Sequence, residues 1–263
     1  MSLAETLIPI IKEAAKIMLS AHNVEESNAV TSKAGDANFV TVYDKATQDF
    51  LIKKITEAIP EATFVAEEQE NDLSALEGEY AFIIDPIDGT TNFIHDFSHS
   101  SISVACASRG EVIFGAVYNP YLDEMFYAER GKGAYKNNKP ISVSKREMKE
   151  SVFSFGSSPY YKDELGEKGF ALAYKIFKES ADIRRLASAA LDLCYVACGR
   201  LDSFFEFRLS PWDHAAGSLI LTEAGGKISD MEEKPLSLTE PSSVIAANEK
   251  CYKRILEIVK EYQ

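Results

Sequence analysis

The residues best suited to chemistry in this chain lie in one string, Phe82-Ile83-Ile84-Asp85-Pro86-Ile87-Asp88-Gly89-Thr90-Thr91-Asn92-Phe93. The apolar run Phe82-Ile83-Ile84 reads as a buried strand, and it leads directly into two carboxylates three residues apart. Pro86 fixes the backbone between them, and Gly89 permits a tight approach. Thr90-Thr91-Asn92 supply hydroxyl and amide groups where a helix can begin. A strand end, hard oxygen donors and a helix N-terminus in one turn make a place for Mg²⁺ and a phosphate. Carboxylates this close repel and resist ionising unless a cation sits between them. An isolated D-x-x-D reads as a surface turn, since Asp, Pro and Gly are ordinary turn residues. The preceding strand and the length of the string favour a site.

Two other Asp-rich motifs fail here. A calcium EF-hand loop needs oxygen ligands at alternate positions, Gly at the sixth and Glu at the twelfth. Counted from Asp85, those places hold Ile87 (third), Thr90 (sixth) and Asp96 (twelfth). A phospho-aspartate mechanism with the signature D-x-D-G-T fails as well, because Pro86 stands where its second Asp belongs.

Two more segments carry acids at useful places. Phe64-Val65-Ala66-Glu67-Glu68-Gln69 is a short strand ending in carboxylates, and Trp212-Asp213-His214-Ala215-Ala216-Gly217 opens an apolar helical run. That run continues to Glu223-Ala224 and stops at Gly225-Gly226, a good C-cap. Asp213 falls at or near the first turn, where a carboxylate is favourable even without a metal. Taken singly, Glu67-Glu68 also reads as a solvated acidic edge and Asp213 as a plain N-cap.

Together with DPIDGTTNF, these segments resemble the inositol monophosphatase family of Mg²⁺-dependent, lithium-sensitive phosphatases. The resemblance runs from Phe39-Val40-Thr41-Val42-Tyr43-Asp44 to Val244-Ile245-Ala246-Ala247-Asn248, and its two signature blocks, DPIDGTTNF and WDHAAGSLILTEAGG, are long and specific. It implies a layered α/β (α+β) fold, the five-layer αβαβα sandwich of the inositol monophosphatase and fructose-1,6-bisphosphatase type, and a homodimer. It implies a first Mg²⁺ site from Glu67, Asp85 and the Ile87 carbonyl, a second from Asp85, Asp88 and Asp213, and a third, weaker ion near Glu67, with Mn²⁺ as a substitute.

Asp44 and Thr90 match the pair that orients and deprotonates the attacking water, with Glu67 as the further catalytic residue. Gly89, Thr90 and Thr91 match backbone donors to the phosphate. Glu206 matches a residue that hydrogen-bonds a substrate hydroxyl, while Ala187 and Asp213 complete the substrate side. A solvated strand face accounts for Glu206 equally well, since it alternates with Phe205 and Phe207. Trp212 packs to position Asp213, and His95 and His99 receive no role.

The departures concern the substrate side: Ala187 replaces a common Gly, and Ser98-His99-Ser100-Ser101 follows Phe97 where the family often has Pro and an apolar run. The implied substrate is a small phosphorylated metabolite, with myo-inositol 1-phosphate leading. Fructose 1,6-bisphosphate, histidinol phosphate and 3′-phosphoadenosine 5′-phosphate are alternatives, and a protein- or RNA-binding regulator is a reading of another class.

The chain has 263 residues, 46% hydrophobic and 26% charged, the composition of an ordinary globular protein. It reads as a single catalytic unit over 1–263, with a metal-site half over 1–150 and a substrate-side half over 151–263. The net charge of −13 argues against nucleic acid or an anionic membrane as partner. It also demands cations at any site that takes a phosphate ester. No apolar run reaches the roughly 18 residues of a membrane span. Met1–Glu5 lacks a signal-peptide pattern, and Cys106, Cys194, Cys198 and Cys251 show no disulfide or metal spacing. A cytoplasmic location is expected.

The elements that must position the acids follow from periodicity. An opening helix carries Leu3, Leu7, Ile10, Ile11, Ala14 and Met18 on one face, and Pro9 is tolerable only near its first turns. His22–Asp36 is polar and reads as strand or loop around Lys33-Ala34-Gly35-Asp36. A helix over Lys45–Ile59 precedes strands at Ile102–Ala107 and Val112–Tyr118, joined by a turn at Arg109-Gly110, and at Met125–Ala128 and Gly133–Lys136. Then come Val152–Phe155, a helix near Phe170–Ser180, a strand at Ile183-Arg184 and a helix over Ala189–Cys198. The strand Ser203–Phe207, the Asp213 helix and a closing helix over Tyr252–Tyr262 complete the chain. Helices alternating with two groups of strands indicate a layered sandwich.

Overall fold

The structure is a computed structural model that describes residues 2–21, 24, 30–32 and 39–262. Lys33–Asp36, expected as strand or loop, lies outside the described residues. Helix α1 (Leu3–Leu19) starts at a capping box, Ser2 Oγ accepting from Glu5 N and the Glu5 carboxylate from Ser2 N. It buries Leu7, Ile11, Ala14, Ala15 and Met18 as one stripe and runs through Pro9. Strands β1 (Val30–Ser32) and β2 (Phe39–Thr41) form a small antiparallel pair that delivers Thr41 to the start of α2 (Val42–Ala58).

Thr41 and Asp44 form a second capping box, so α2 begins three residues before the expected Lys45. The apolar pattern begins only at the second turn, and the T-x-x-D cap fixes the true start.

Seven strands form the first large sheet: β3 (Thr63–Ala66), β4 (Ala81–Asp88), β5 (Ser101–Ser108), β6 (Glu111–Asn119), β7 (Glu124–Glu129), β8 (Ala134–Lys136) and β9 (Lys139–Pro140), adjacent in that order. β3 and β4 are parallel and the remaining pairs antiparallel. Every residue of β4 is buried, as expected for a strand covered on both faces. Its pairing with β5 is regular to Asp85↔Ser103 and resumes at Asp88↔Ser101. Pro86, with no N–H to give the ladder, sits in that interruption. The expected turn at Arg109-Gly110 has both residues at positive φ, +52° and +80°, which the twist of a tight hairpin requires.

After α3 (Thr90–Ile94) and these strands, a second sheet is built from β10 (Val152–Phe155), β11 (Asp182–Arg184), β12 (Ser203–Leu209), β13 (Lys227–Ser229) and β14 (Ser242–Ala247), in the order β11-β10-β12-β14-β13. The remaining helices are α4 (Glu167–Phe177), α5 (Ala189–Ala197), α6 (Pro211–Glu223) and α7 (Glu249–Tyr262). α4 and α7 start three residues before their expected positions, since their polar first turns add nothing to an apolar pattern. β1, β9 and β13 are too short to carry a periodic signal.

Three apolar clusters separate the layers. One joins α1 and α2 to the outer face of the first sheet, a second fills the space around α5 and α6 between the sheets, and a third packs α4 and α7 on the far face of the second sheet. The result is the five-layer αβαβα sandwich. The four cysteines are free thiols; three are buried and Cys198 is half-buried. Among the described residues no helix is long and apolar enough to cross a membrane.

The central layer depends on one close approach. A Cβ added to Gly115 of β6 would lie 2.7 Å from the Ala216 carbonyl oxygen and 2.9 Å from its Cα. Backbone cannot yield as a side-chain tip can, so α6 would have to lift off the sheet. Gly115→Ala is expected to cost about 1–3 kcal/mol by overpacking. Calorimetry should show this as a melting temperature lowered by roughly 2–4 °C per kcal/mol at this chain length.

Candidate active site

Three chain segments bring their carboxylates to one cavity of about 430 Å³ between the sheets. Glu67 follows β3, and its N–H continues the ladder to the Ile84 carbonyl (3.1 Å). Asp85 and Asp88 flank the irregular end of β4, and Asp213 sits in the first turn of α6, where it accepts from Ser210 N at 2.7 Å. Ile87, Gly89, Thr90 and Thr91 line the same cavity, as do Ala187, Glu206 and Trp212. Gly89 has φ +89° and a cradle that a Cβ would fill, 2.9 Å from the Ala187 carbonyl. The expected site residues therefore meet in one place, Asp44 excepted. Asp44 lies fully buried behind the wall and reaches the cavity through Thr90, whose Oγ1 donates to the Ile87 carbonyl (3.1 Å) and toward Asp44 Oδ1 (3.5 Å).

Burial and mutual repulsion dominate the electrostatics. Loss of water, then the charges of Glu67, Asp88, Asp213 and Asp44, push Asp85 well above the usual carboxylate range. Asp213 is raised in the same way, by burial and then by Glu67 and Asp88. Burial carries Asp44 up to about 7 against the hydrogen bonds from Thr41. Asp88 is raised only to about 6, because burial is opposed by four donors: Ser188 Oγ, the amides of Ala190 and Ala189, and Ser101 Oγ. Asp88 is thus also the cap of α5, whose own N-cap residue Ser188 makes no such bond.

The donor set fits a hard divalent cation: carboxylates and a backbone carbonyl, with no sulfur or imidazole among the proposed ligands. Among the described residues, no three acidic, histidine or cysteine side chains converge tightly enough to share an ion as they stand. Asp88 and Asp213 are turned onto backbone amides instead.

The substrate side is less open to sequence reasoning. Glu206 is only 7% exposed, so a solvated strand face does not account for it. It accepts from Ser158 N (2.9 Å) and Oγ (3.2 Å), and burial pushes it up to about 7. Gly156 makes room for it, since a Cβ there would lie 1.8 Å from the carboxylate. Ala187, standing where a Gly is common, adopts φ +66°. Its segment is tied to α3 by Asn92 Nδ2, which donates to the carbonyls of Leu186 (2.8 Å) and His99 (2.7 Å). Sequence reasoning missed Ser158, Tyr160, Arg185, Asp192 and Arg208 on the cavity wall. Arg185 and Arg208 directly follow the expected strands Ile183-Arg184 and Ser203–Phe207, and Asp192 lies within the expected helix Ala189–Cys198, but no spacing pattern brings these residues to one place.

Comparison with known proteins agrees with this geometry. The model of the inositol monophosphatase family matches residues 1–263. An inositol-1-monophosphatase of Rhizobium meliloti is 37% identical over 90% of this chain and 88% of its own. The Nus factor SuhB of Escherichia coli strain K12 is 40% identical over 81% of this chain and 79% of its own. The solved structure of the Thermotoga maritima IMPase superposes with a TM-score of 0.88 at 32% identity, covering 100% of this chain and 98% of the other. With the whole length matched, the two-sheet sandwich and its acid-lined cavity belong to a phosphomonoester hydrolase, and the chain is a member of the inositol monophosphatase family.

Proposed function

We propose that the chain hydrolyses small phosphate monoesters, myo-inositol 1-phosphate foremost, with Mg²⁺ held by Glu67, Asp85, the Ile87 carbonyl, Asp88 and Asp213. The observation that supports this most is the convergence of these donors on one cavity, with Asp85 and Asp88 almost fully buried and Asp213 half-buried. Buried like charges oppose folding unless a cation offsets them. When bound, Mg²⁺ supplies Lewis acidity, an acidified water and charge neutralisation in the transition state.

The chain's own groups then do the rest. Thr90 Oγ1, held between Asp44 and the Ile87 carbonyl, orients the attacking water, and Asp44 takes its proton. A base held near pH 7 by burial is matched to that task. The amides of Gly89, Thr90 and Thr91 at the start of α3 receive the phosphate. Glu206, fixed by Ser158, accepts from a hydroxyl of the alcohol. A homodimer fits the aromatic stripe Phe170, Tyr174 and Phe177 exposed along α4. The free thiols accord with a reducing cytoplasm.

The likeness to a protein named Nus factor SuhB supports a second reading, a regulator that acts by binding other macromolecules. A chain used only in that way has no physical reason to retain destabilising buried carboxylates. Phosphate release by the purified protein from a panel of monoesters decides between the two. Turnover of none of them, at millimolar Mg²⁺, leaves the regulatory reading standing.

Three outcomes follow from the site. Chelation should abolish activity and added Mg²⁺ or Mn²⁺ should restore it, with lithium inhibiting; full turnover in excess EDTA defeats the metal assignment. Asp44→Asn should lower kcat by about 10²–10⁴-fold, the usual yield of general-base catalysis, without changing the thermal stabilisation given by Mg²⁺.

The third outcome separates the acids by their protein contacts. In EDTA at neutral pH, Asp85→Asn and Asp213→Asn should raise the melting temperature. Each removes a buried charge, yet its amide oxygen can still accept from Ile87 N or Ser210 N. Asp88→Asn should lower it, because one amide oxygen cannot serve the donors at the head of α5. A shift of about 1 kcal/mol reads as roughly 2–4 °C. The same sign for all three would mean that Asp88 does not hold α5.

A further inference from the structure

Helix α6 borders two cavities. Trp212 and Asp213 in its first turn line the one that holds the acids. His214, Ala215, Ser218, Leu219 and Thr222 share one helical face and line another, of about 290 Å³, together with the start of β6, Ile228 of β13 and residues 235–238. Among the described residues the two linings have none in common.

His214 is 1% exposed, and among the described residues neither of its ring nitrogens has a hydrogen-bond partner. Burial lowers it to about 4, against a weaker opposing pull from the Ser237 backbone, which makes no hydrogen bond to the ring. The imidazole is neutral, with one nitrogen to donate and one to accept. Ser218 Oγ, one turn along the same face, is buried and unpartnered as well. Buried polar groups without partners cost stability, so two of them one turn apart in a cavity lining point to a ligand that satisfies both.

The charges of this lining are already engaged. Glu111 and Arg130 pair at 3.0 Å, Arg130 Nε donates to the Val112 carbonyl at 2.8 Å, and Glu223 accepts from the amides of Gly131 (2.7 Å) and Gly133 (2.8 Å). The walls are otherwise apolar, from Val112, Leu219, Ile228, Leu236 and Leu238. We infer that this cavity is a second ligand site, for a compact uncharged molecule with an apolar body and a single hydroxyl, a phenol or an alicyclic alcohol. A hydroxyl both donates and accepts, so it can bridge His214 and Ser218 while the apolar body is buried against the leucines. The volume is near the lower end of small-molecule sites, roughly 300–1,000 Å³. No acid of the first cavity takes part, and the site is independent of the phosphatase reading.

p-Cresol, toluene and benzoate are similar in size and carry a hydroxyl, no polar group and a carboxylate, respectively. Calorimetric titration of the full chain should show saturable one-to-one binding of p-cresol, at least tenfold tighter than toluene, because a lining built for a hydroxyl rejects the analogue that lacks it. Benzoate should bind at least tenfold more weakly than p-cresol, since burying its charge finds no free partner. Ser218→Ala and His214→Phe should each cut the preference for p-cresol over toluene by roughly fivefold, the scale of one neutral hydrogen bond. Leu236→Trp, which fills the cavity, should abolish binding of both.

No saturable p-cresol binding at millimolar concentration overturns the site and leaves water as the partner of both groups. Equal affinity for p-cresol and toluene, or benzoate binding as tightly as p-cresol, overturns the ligand class. A preference unmoved by both polar substitutions, or binding that survives Leu236→Trp, puts the probe elsewhere and overturns the site. Should His214→Phe not fold, Ser218→Ala decides alone.

Discussion

Like charges brought out of water into one cavity repel one another, and most of the architecture can be understood as the means of holding Glu67, Asp85, Asp88 and Asp213 there. Side chains on mobile loops would swing apart. Here each acid lies at the end of a strand, just beyond one, or in the first turn of a helix. β4 delivers Asp85 and Asp88 from a run buried on both faces, and the parallel ladder with β3 sets Glu67 beside Ile84. The capping box of α6 fixes Asp213 before any ligand arrives. The α1–α2 layer and the α5–α6 layer cover both faces of β4, so strand and charges are positioned by the same apolar packing.

Legibility in the sequence divides along the same line. The buried run before Asp85, the turn glycine Gly89 and the apolar helix after Asp213 are local signals, each contained within a dozen residues, and they carried the acid cluster into view. Arg109-Gly110 was readable for the same reason: two residues at positive φ between alternating strands leave a local trace. Ser158, Asp192 and Arg208 left none. They reach the cavity because β10, β12 and α5 converge from segments tens of residues apart, and a single sequence does not encode that convergence as spacing. The start of α2 is not marked by apolar periodicity, because a capping box fixes its first turn. The layer count came from the family resemblance, since strand order in a sheet is a long-range property.

Glu206 shows how burial decides between two readings that pattern leaves equal. Alternation with Phe205 and Phe207 placed it on the face opposite to theirs, which is solvent in a one-sided sheet and interior in a covered one. The second sheet is covered on both faces, by α5 and α6 on one side and α4 and α7 on the other. Its carboxylate is therefore desolvated, tied to Ser158 and given space by the missing side chain of Gly156. A residue that costs stability in this way, and needs a glycine opposite it, is better explained by a ligand than by packing.

The two sheets contribute differently to the cavity, and Asp88 is where they meet. The first sheet supplies Asp85, Asp88 and the residues flanking them. The wall opposite comes from the second sheet and its loops, with Ser158, Arg185, Ala187, Glu206 and Arg208 between positions 156 and 208. The wall and most of the acid cluster come from different elements, which is how one hydrolytic core can serve different alcohols. Asp88 belongs to both sides. Its charge helps to raise Asp85 and Asp213, and its carboxylate holds the first amides of α5 and the Ser188 hydroxyl. Any rearrangement that draws Asp88 toward a cation must loosen its grip on α5, and Ala187, Ser188 and Arg185 lie immediately upstream. Under the proposed function, metal occupancy and the shape of the alcohol subsite would be linked through this one side chain.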